Sequence, residues 1–324
     1  IPLFVISYRS MELIDIIKDS QDFKSLLIEY QKGLLSKSIL LISPDVDYMR
    51  AFAKALAILI EDGQIDKNSA NYIKIENELH SDVLFFPSKD KLLVADSEKI
   101  VEESFVKPTS SPKKIFIISS IDNSMESAQN KLLKTLEEPP KNVYFLLTSS
   151  QIEKVLPTVR SRCNKIALQK LSPKQLSLIT GFKEDSNIIK ASDQILTNAN
   201  HFAKMSDFDD FFSCTMGVLS ELKNTKQVLS YSKKLQRYLD RFDIIMNILL
   251  LAVEDMILIK SGLEGKNLKD ESLLKVSDEY TIKALIEIQN LIDKASREKS
   301  LNVSPLTIIE NLLLKILEVK YLCR

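Results

Sequence analysis

Three apolar runs, Ser38–Ser43, Lys114–Ser119 and Val143–Thr148, recur through the first half of the chain with stretches of helical periodicity between them. A strand apolar at nearly every position has both faces buried, and a parallel sheet with helices on either side meets that requirement. The periodicity predicts helices over Asp22–Tyr30, Tyr48–Ile60, Ser97–Phe105 and Glu126–Glu138, and shorter strands at Leu84–Pro87 and Leu92–Ala95. Strand alternating with helix is the pattern of an α/β domain.

After about Leu168 no strand pattern returns. Helices are expected at Lys174–Ile179, Ser186–Leu196, Asp207–Leu222, Lys226–Lys260, Thr281–Ser296 and Pro305–Leu322. The last has Ser304 as N-cap, Pro305 at the first helical position, and Ile308, Ile309, Leu312, Leu313, Ile316 and Val319 at helical spacing. Ile244–Val253 is apolar most of the way round, which puts it either at the centre of a bundle or beneath another chain. With 324 residues there is chain enough for more than one core. The expected division is an α/β domain over 1–168, a small helical lid over 169–204 and an all-α domain over 205–324.

Apolar residues make up 45% and charged residues 27%, which excludes disorder as the main state. Forty-four basic residues balance forty-four acidic ones, so no bulk field draws in a polyanion. The span 131–170 is the local exception, with eight basic residues against three acidic. It reads first as a solvated face, with a surface for phosphate or an acidic partner as the alternative. Cys163, Cys214 and Cys323 lie far apart, with only His80 and His201 to help them, so neither a zinc site nor a disulfide framework is expected. Free thiols in a reducing cytoplasm are the expectation. The longest apolar runs are too short and too close to acids to span a bilayer. Ile1–Ser7 is apolar, but no basic stretch precedes it and no small-residue cleavage site follows. Met11 opens Met11-Glu12-Leu13-Ile14, so the natural start is either Ile1 or Met11.

The most informative stretch runs from Lys114 to Lys165. Leu132, Leu133 and Leu136 share a helix face, and Pro139-Pro140 stops that helix. Then Leu156-Pro157-Thr158-Val159-Arg160-Ser161-Arg162-Cys163 places two arginines ahead of Ile166-Ala167-Leu168. Taken alone, these arginines read equally well as surface charges. Together, Leu-Leu-Lys-Thr-Leu-Glu-Glu-Pro-Pro, the strand after it and Leu-Pro-Thr-Val-Arg-Ser-Arg-Cys resemble the signature of the bacterial DNA polymerase III clamp loader, an AAA+ assembly. The resemblance is sharp over Asn130–Cys163. It implies that the α/β domain is AAA+-like and that Ser161, Arg162 and Cys163 form a motif whose arginine reaches ATP held by a neighbouring subunit. A planar, permanently charged guanidinium suits the charge that develops on a transferring phosphoryl group.

A chain that holds its own triphosphate needs Gly-x-x-x-x-Gly-Lys-Ser/Thr between strand and helix. At that junction stands Ser43-Pro44-Asp45-Val46-Asp47-Tyr48-Met49-Arg50. Ser43 and Tyr48 replace the glycines, Met49 the lysine and Arg50 the magnesium-binding hydroxyl, while Asp45 and Asp47 repel phosphate at close range. None of the six glycines falls between Leu34 and Asp62. Where the family carries two consecutive acids after the second buried strand, this chain has Ser119 and Ser120, with Asp122 two positions beyond. The resemblance is therefore to the non-hydrolysing, delta-prime type of loader subunit. It implies no bound ATP, magnesium or zinc, and a cytoplasmic protein. The implied partners are ATPase subunits of gamma/tau type and a clamp-opening delta subunit, with indirect contact to primer-template DNA and the sliding clamp and none to membrane. Asn302 ahead of Pro305–Leu314 resembles the last collar helix of such subunits, and a simple bundle helix predicts the same spacing. An active gamma/tau-like ATPase subunit and a purely structural AAA+ scaffold are the alternatives.

Overall fold

A computed structural model describes residues 13–87, 91–265, 267–268, 270, 272–301 and 303–322. Ile1, Met11, Asn302 and Cys323, on which some of the expectations rest, lie outside the described residues. The chain divides into two units. One runs to Gly181 and includes Ile195–Thr197, and the other comprises Phe182–Gln194 and the chain from Asn198 onward.

In the first unit helices α1 (13–19), α2 (Gln21–Gln31), α3 (Val46–Asp62), α4 (Ala70–Glu76), α5 (Val94–Ser104), α6 (Glu126–Glu137), α7 (Pro157–Arg160) and α8 (Pro173–Thr180) surround five strands. The strands are β1 (Ser38–Ile42), β2 (Val83–Phe86), β3 (Lys114–Ile118), β4 (Val143–Ser149) and β5 (Asn164–Ala167). All pair in parallel, in the order β2-β3-β4-β1-β5. Side chains alternate across a strand, so Leu40, Phe116, Ile118, Phe145 and Leu147 share one face and pack with Ile100 of α5 and Leu132 and Leu136 of α6. Phe86, Phe116 and Phe145 stack across three strands, with ring centroids 6.4 and 5.2 Å apart. Ile39, Leu41, Ile115, Ile117 and Leu146 point the other way and are fully buried. Helix α3 contacts β1, β3 and β4, and its buried run from Phe52 to Ile60 is the alanine-rich periodicity seen in the sequence. The sheet is covered on both faces, as continuous apolar strands require.

Three elements depart from expectation. Leu92–Ala95 is no strand. Val94 and Ala95 open α5, whose start is held by the Asp96 carboxylate accepting the Leu93 N–H at 2.9 Å. A four-residue apolar run carries no period of its own, and this local cap decides for helix. Asn164–Ala167 forms the edge strand β5, largely exposed and paired only to β1. Helix α4 has Ser69 as N-cap, accepting from Tyr72 N at 3.0 Å.

The second unit contains helices and no strand among its described residues. It contains α9 (Asn187–Ala191), most of α10 (Leu196–Phe202), α11 (Phe208–Glu221), α12 (Thr225–Leu235), α13 (Phe242–Lys260), α14 (Ser272–Ser277), α15 (Ile282–Ser300) and α16 (Pro305–Leu322). Helix α13 is the central one: it packs against α11, α14 and α15, and Ile245, Ile248, Leu249, Ala252 and Val253 are buried. Of the two placements open for Ile244–Val253, the bundle centre is the one observed. The span Lys226–Lys260 is not one helix. A 3-10 segment, Gln236–Arg241, separates α12 from α13, with Tyr238 at φ −121° and ψ 23°. Arg241 there pairs with Asp207 at 2.9 Å and lies over the rings of Phe211 and Tyr238. These contacts across sequence override a continuous local propensity. Among the described residues no helix is long and apolar enough to cross a membrane.

Candidate functional site

The first cluster of sequence-selected residues sits where strands end and helices begin. Ile42 lies level with Ser149, and Ile118 with Leu147, so the loops leaving β1 and β3 emerge at one edge of the sheet, flanking the end of β4. Ser43 N donates to Ser149 O at 3.2 Å, and Ser120 N donates to Thr148 Oγ1 at 2.9 Å. Ser119 N donates to Phe86 O at 2.7 Å. Ser43, Ser119 and Ser120 are thus brought to the carboxyl edge, the usual ligand edge of a parallel α/β sheet.

At the β1–α3 loop the centre is Asp45. It caps α3 by accepting Tyr48 N at 3.1 Å. The same carboxylate accepts Leu196 N at 2.5 Å, Thr197 N at 3.1 Å and Thr197 Oγ1 at 2.9 Å. Thr197 Oγ1 in turn accepts Asp47 N at 2.9 Å. Two helix starts, those of α3 and α10, therefore direct backbone N–H groups at one buried carboxylate. Burial pushes the Asp45 carboxyl above its ordinary range, opposed by these hydrogen bonds. Ser43 is also buried, and its Oγ accepts Asp45 N at 3.1 Å. Tyr48 is 3% exposed and Met49 fully buried, so both side chains belong to the core. Burial, then the Asp22 charge, pushes the Tyr48 hydroxyl up to about 12. Arg50 instead reaches Glu78, with Nη2 2.5 Å from Oε1, and Lys54 Nζ lies 3.0 Å from the same oxygen. Burial would raise the Glu78 carboxyl, but these two cations outweigh it and hold it below the usual range. Asp122 Oδ2 accepts Ser150 Oγ at 2.8 Å and Gln151 N at 3.1 Å.

Arg162 lies elsewhere. Asn164 is level with Ile39 and Ala167 with Ile42, so Ser161–Cys163, which lead into β5, stand at the amino edge of the sheet. At a rise of about 3.3 Å per residue, the start of β5 at Asn164 lies about 13 Å from the level of Ser43 along the strands, and Arg162 precedes it. Its guanidinium is held by Glu137 at the end of α6: Nη2 is 2.6 Å and Nε 2.8 Å from Oε2. Nη1 donates to Thr158 O at 3.0 Å. Ser161 Oγ donates to the same carbonyl at 3.1 Å. Cys163 turns inward to the core beside Val159 and Leu136, and burial pushes its thiol up to about 12. Within the three-residue motif only Arg162 offers a charge to the surroundings.

Sequence reasoning missed three of these roles. Asp45 was weighed only as a phosphate repellent, although an aspartate just ahead of a helical run is an N-cap signal. Glu137 stands in the sequence only as one letter of the Leu-Leu-Lys-Thr-Leu-Glu-Glu-Pro-Pro stretch. Thr197, about 150 residues from Asp45, carries no local signal at all.

Residues 18–172 match the family model described as DNA polymerase III, delta subunit. Bacillus subtilis DNA polymerase III subunit delta' is 32% identical over 132 residues, 40% of this chain and 40% of that protein. DNA polymerase III subunit gamma of Buchnera aphidicola is 30% identical over 103 residues, 32% of this chain and 28% of that one. The matches thus span less than half the length of these relatives. The solved structure of a DNA polymerase III gamma subunit-related protein from Thermotoga maritima covers 91% of this chain and 99% of its own, at 18% identity and a TM-score of 0.46.

Proposed function

On the premise that residues 18–172 are those of a clamp-loader subunit of the AAA+ superfamily, we propose that this chain is the non-hydrolysing, delta-prime-type member of the loader, lending Arg162 in trans to a neighbour's ATP. The observation that carries the proposal is the separation of the two clusters. Arg162 stands at the amino edge of the sheet and the β1–α3 loop at the carboxyl edge, so the guanidinium cannot serve this chain's own loop.

The loop itself suits a triphosphate poorly. Asp45 takes the N–H groups of both helix starts that would otherwise favour an anion. Met49 brings a buried thioether where a lysine is needed, Arg50 is committed to Glu78, and Ser119 and Ser120 provide no carboxylate for a metal ion. No step of catalysis is assigned to this chain's own loop. Its contribution is a fixed positive charge facing the phosphoryl group of a gamma/tau-type ATPase subunit. The helical unit is assigned to assembly with those subunits and with a clamp-opening delta subunit, and contact with primer-template DNA or the sliding clamp is indirect. A subunit without a nucleotide switch acts as the stationary reference for neighbours whose states ATP selects.

Titrating the isolated chain with a fluorescent ATP analogue and magnesium tests the first half: no saturable binding is expected, and micromolar affinity overturns it. Arg162→Ala in the reconstituted loader tests the second: ATP turnover should fall steeply while the complex still assembles. Unchanged turnover would leave a structural scaffold. One rival has its own support. Buried Ser149 Oγ and Asp122 Oδ1 have no hydrogen-bond partner at the carboxyl edge, and a gamma subunit is 30% identical to this chain over 103 residues. An active ATPase subunit is the rival reading, and the nucleotide titration separates the two.

A further inference from the structure

The contact between Arg162 and Glu137 is more specific than a surface ion pair requires. A guanidinium has five N–H donors in one plane. Nε donates to Oε2 of Glu137, Nη2 lies 2.6 Å from the same oxygen, and Nη1 donates to the Thr158 carbonyl. Two hydrogen bonds and a close ion-pair contact hold the group, and N–H donors remain on the terminal nitrogens. The Arg162 side chain remains 28% exposed and that of Glu137 57%, so the pair is not sealed from solvent.

Glu137 is also oddly placed for its own helix. It is the last residue of α6, followed by Glu138 at the C-cap, so two carboxylates stand at the negative end of the helix dipole, where cations are favoured. Helix stability alone does not account for that choice, and a partner outside the helix does. The end of α6 is a firm base for the contact. Leu136 is buried, its carbonyl accepts Ser38 Oγ at 3.0 Å, and Lys37 Nζ donates to Pro140 O at 3.3 Å just beyond. On the other side, buried Cys163 pins the backbone next to Arg162.

We infer that Glu137 is a positioning residue for Arg162, fixing the plane and direction of the guanidinium so that its remaining N–H donors meet the neighbour's phosphate without a rotamer search. The inference rests on the proposed role of Arg162 in trans. A long side chain ordered before the encounter has already given up rotamer freedom, and orientation of a charged group is a large part of catalytic rate. Glu137 touches no substrate and acts through Arg162 alone.

The test is steady-state ATP hydrolysis by the reconstituted loader with its ATPase subunits, with assembly checked by gel filtration. The variants are Glu137→Ala, Glu137→Gln, Arg162→Ala and the Glu137→Ala/Arg162→Ala pair. Glu137→Ala should lower kcat about three- to tenfold and leave KM within about twofold, since a misdirected group slows the chemical step. Glu137→Gln, which keeps one neutral acceptor, should fall between wild type and alanine, and it decides the matter if the alanine variant does not assemble. In the Arg162→Ala background the Glu137 change should add nothing. Full turnover by Arg162→Ala sinks the role of Arg162 and this inference with it. Slow turnover by Arg162→Ala with wild-type rates for both Glu137 variants sinks the inference alone. An equal Glu137 effect in both backgrounds, or a faster Glu137→Ala enzyme, also overturns it.

Discussion

Replacing Asp45 with alanine is expected to destabilise the first unit by about 2–4 kcal/mol, a figure that follows from the bonds one carboxylate accepts. Loss of the N-cap on α3 costs about 1 kcal/mol. The N–H groups of Leu196 and Thr197 lose their acceptor as well, at about 1–2 kcal/mol each if no water replaces it. Part of this returns because a carboxylate whose ionisation burial opposes is no longer held in the interior. Hydrogen exchange read by mass spectrometry, with peptides spanning 46–49 and 195–198, assigns the loss to this contact rather than to the helical unit. The net cost predicts faster exchange by about thirtyfold to a thousandfold in both peptides, at 1.4 kcal/mol per tenfold. Asp45→Asn keeps one carbonyl acceptor and should lie between. Protection in both peptides within about threefold of wild type in the alanine variant would refute the claim that this carboxylate holds the two helix starts.

Asp82 offers a pH test. Burial would raise its carboxyl, but N–H donors from Thr109, Ser110 and Ser111 and the Ser110 hydroxyl outweigh burial and hold it below 3.8. A depressed carboxylate contributes stability above its unfolded value and loses it as pH falls through the folded one. Amides 109–111 should therefore lose protection as pH drops below 3.8, and Asp82→Asn should remove that dependence. Persistence of the same acid transition in Asp82→Asn would contradict it. Cys163, with its thiol pushed up to about 12 by burial, should resist iodoacetamide at pH 8 in the native chain and label only on unfolding. Rapid native labelling mapped to Cys163 would show that its inward packing is wrong.

The strands that carry the sheet were legible because their signal is local. Ser38–Ile42, Lys114–Ile118 and Val143–Ser149 are continuous apolar runs, and only burial on both faces tolerates such a run. Helices α3 and α6 were legible for the same reason, since a 3.6-residue period is visible within one window. Edge strand β5 was not. Asn164 and Lys165 are exposed, so no apolar pattern marks them, and their pairing to β1 exists only once the sheet is built. The break between α12 and α13 escaped for a related reason. Local propensity runs through it, and the groups that interrupt it, Asp207 and Phe211, come from another helix.

For the site, residue types alone give the groups on offer: a permanent cation at Arg162, no lysine or glycine between β1 and α3, and no consecutive acids directly after β3. What those groups do was decided by contacts between distant parts of the chain. Asp45 meets Leu196 and Thr197 across about 150 residues, and Arg162 meets Glu137 across 25. Composition and periodicity are properties of neighbours along the chain. The direction of a carboxylate or a guanidinium is set by whichever backbone the fold packs beside it, and only tertiary structure makes that choice.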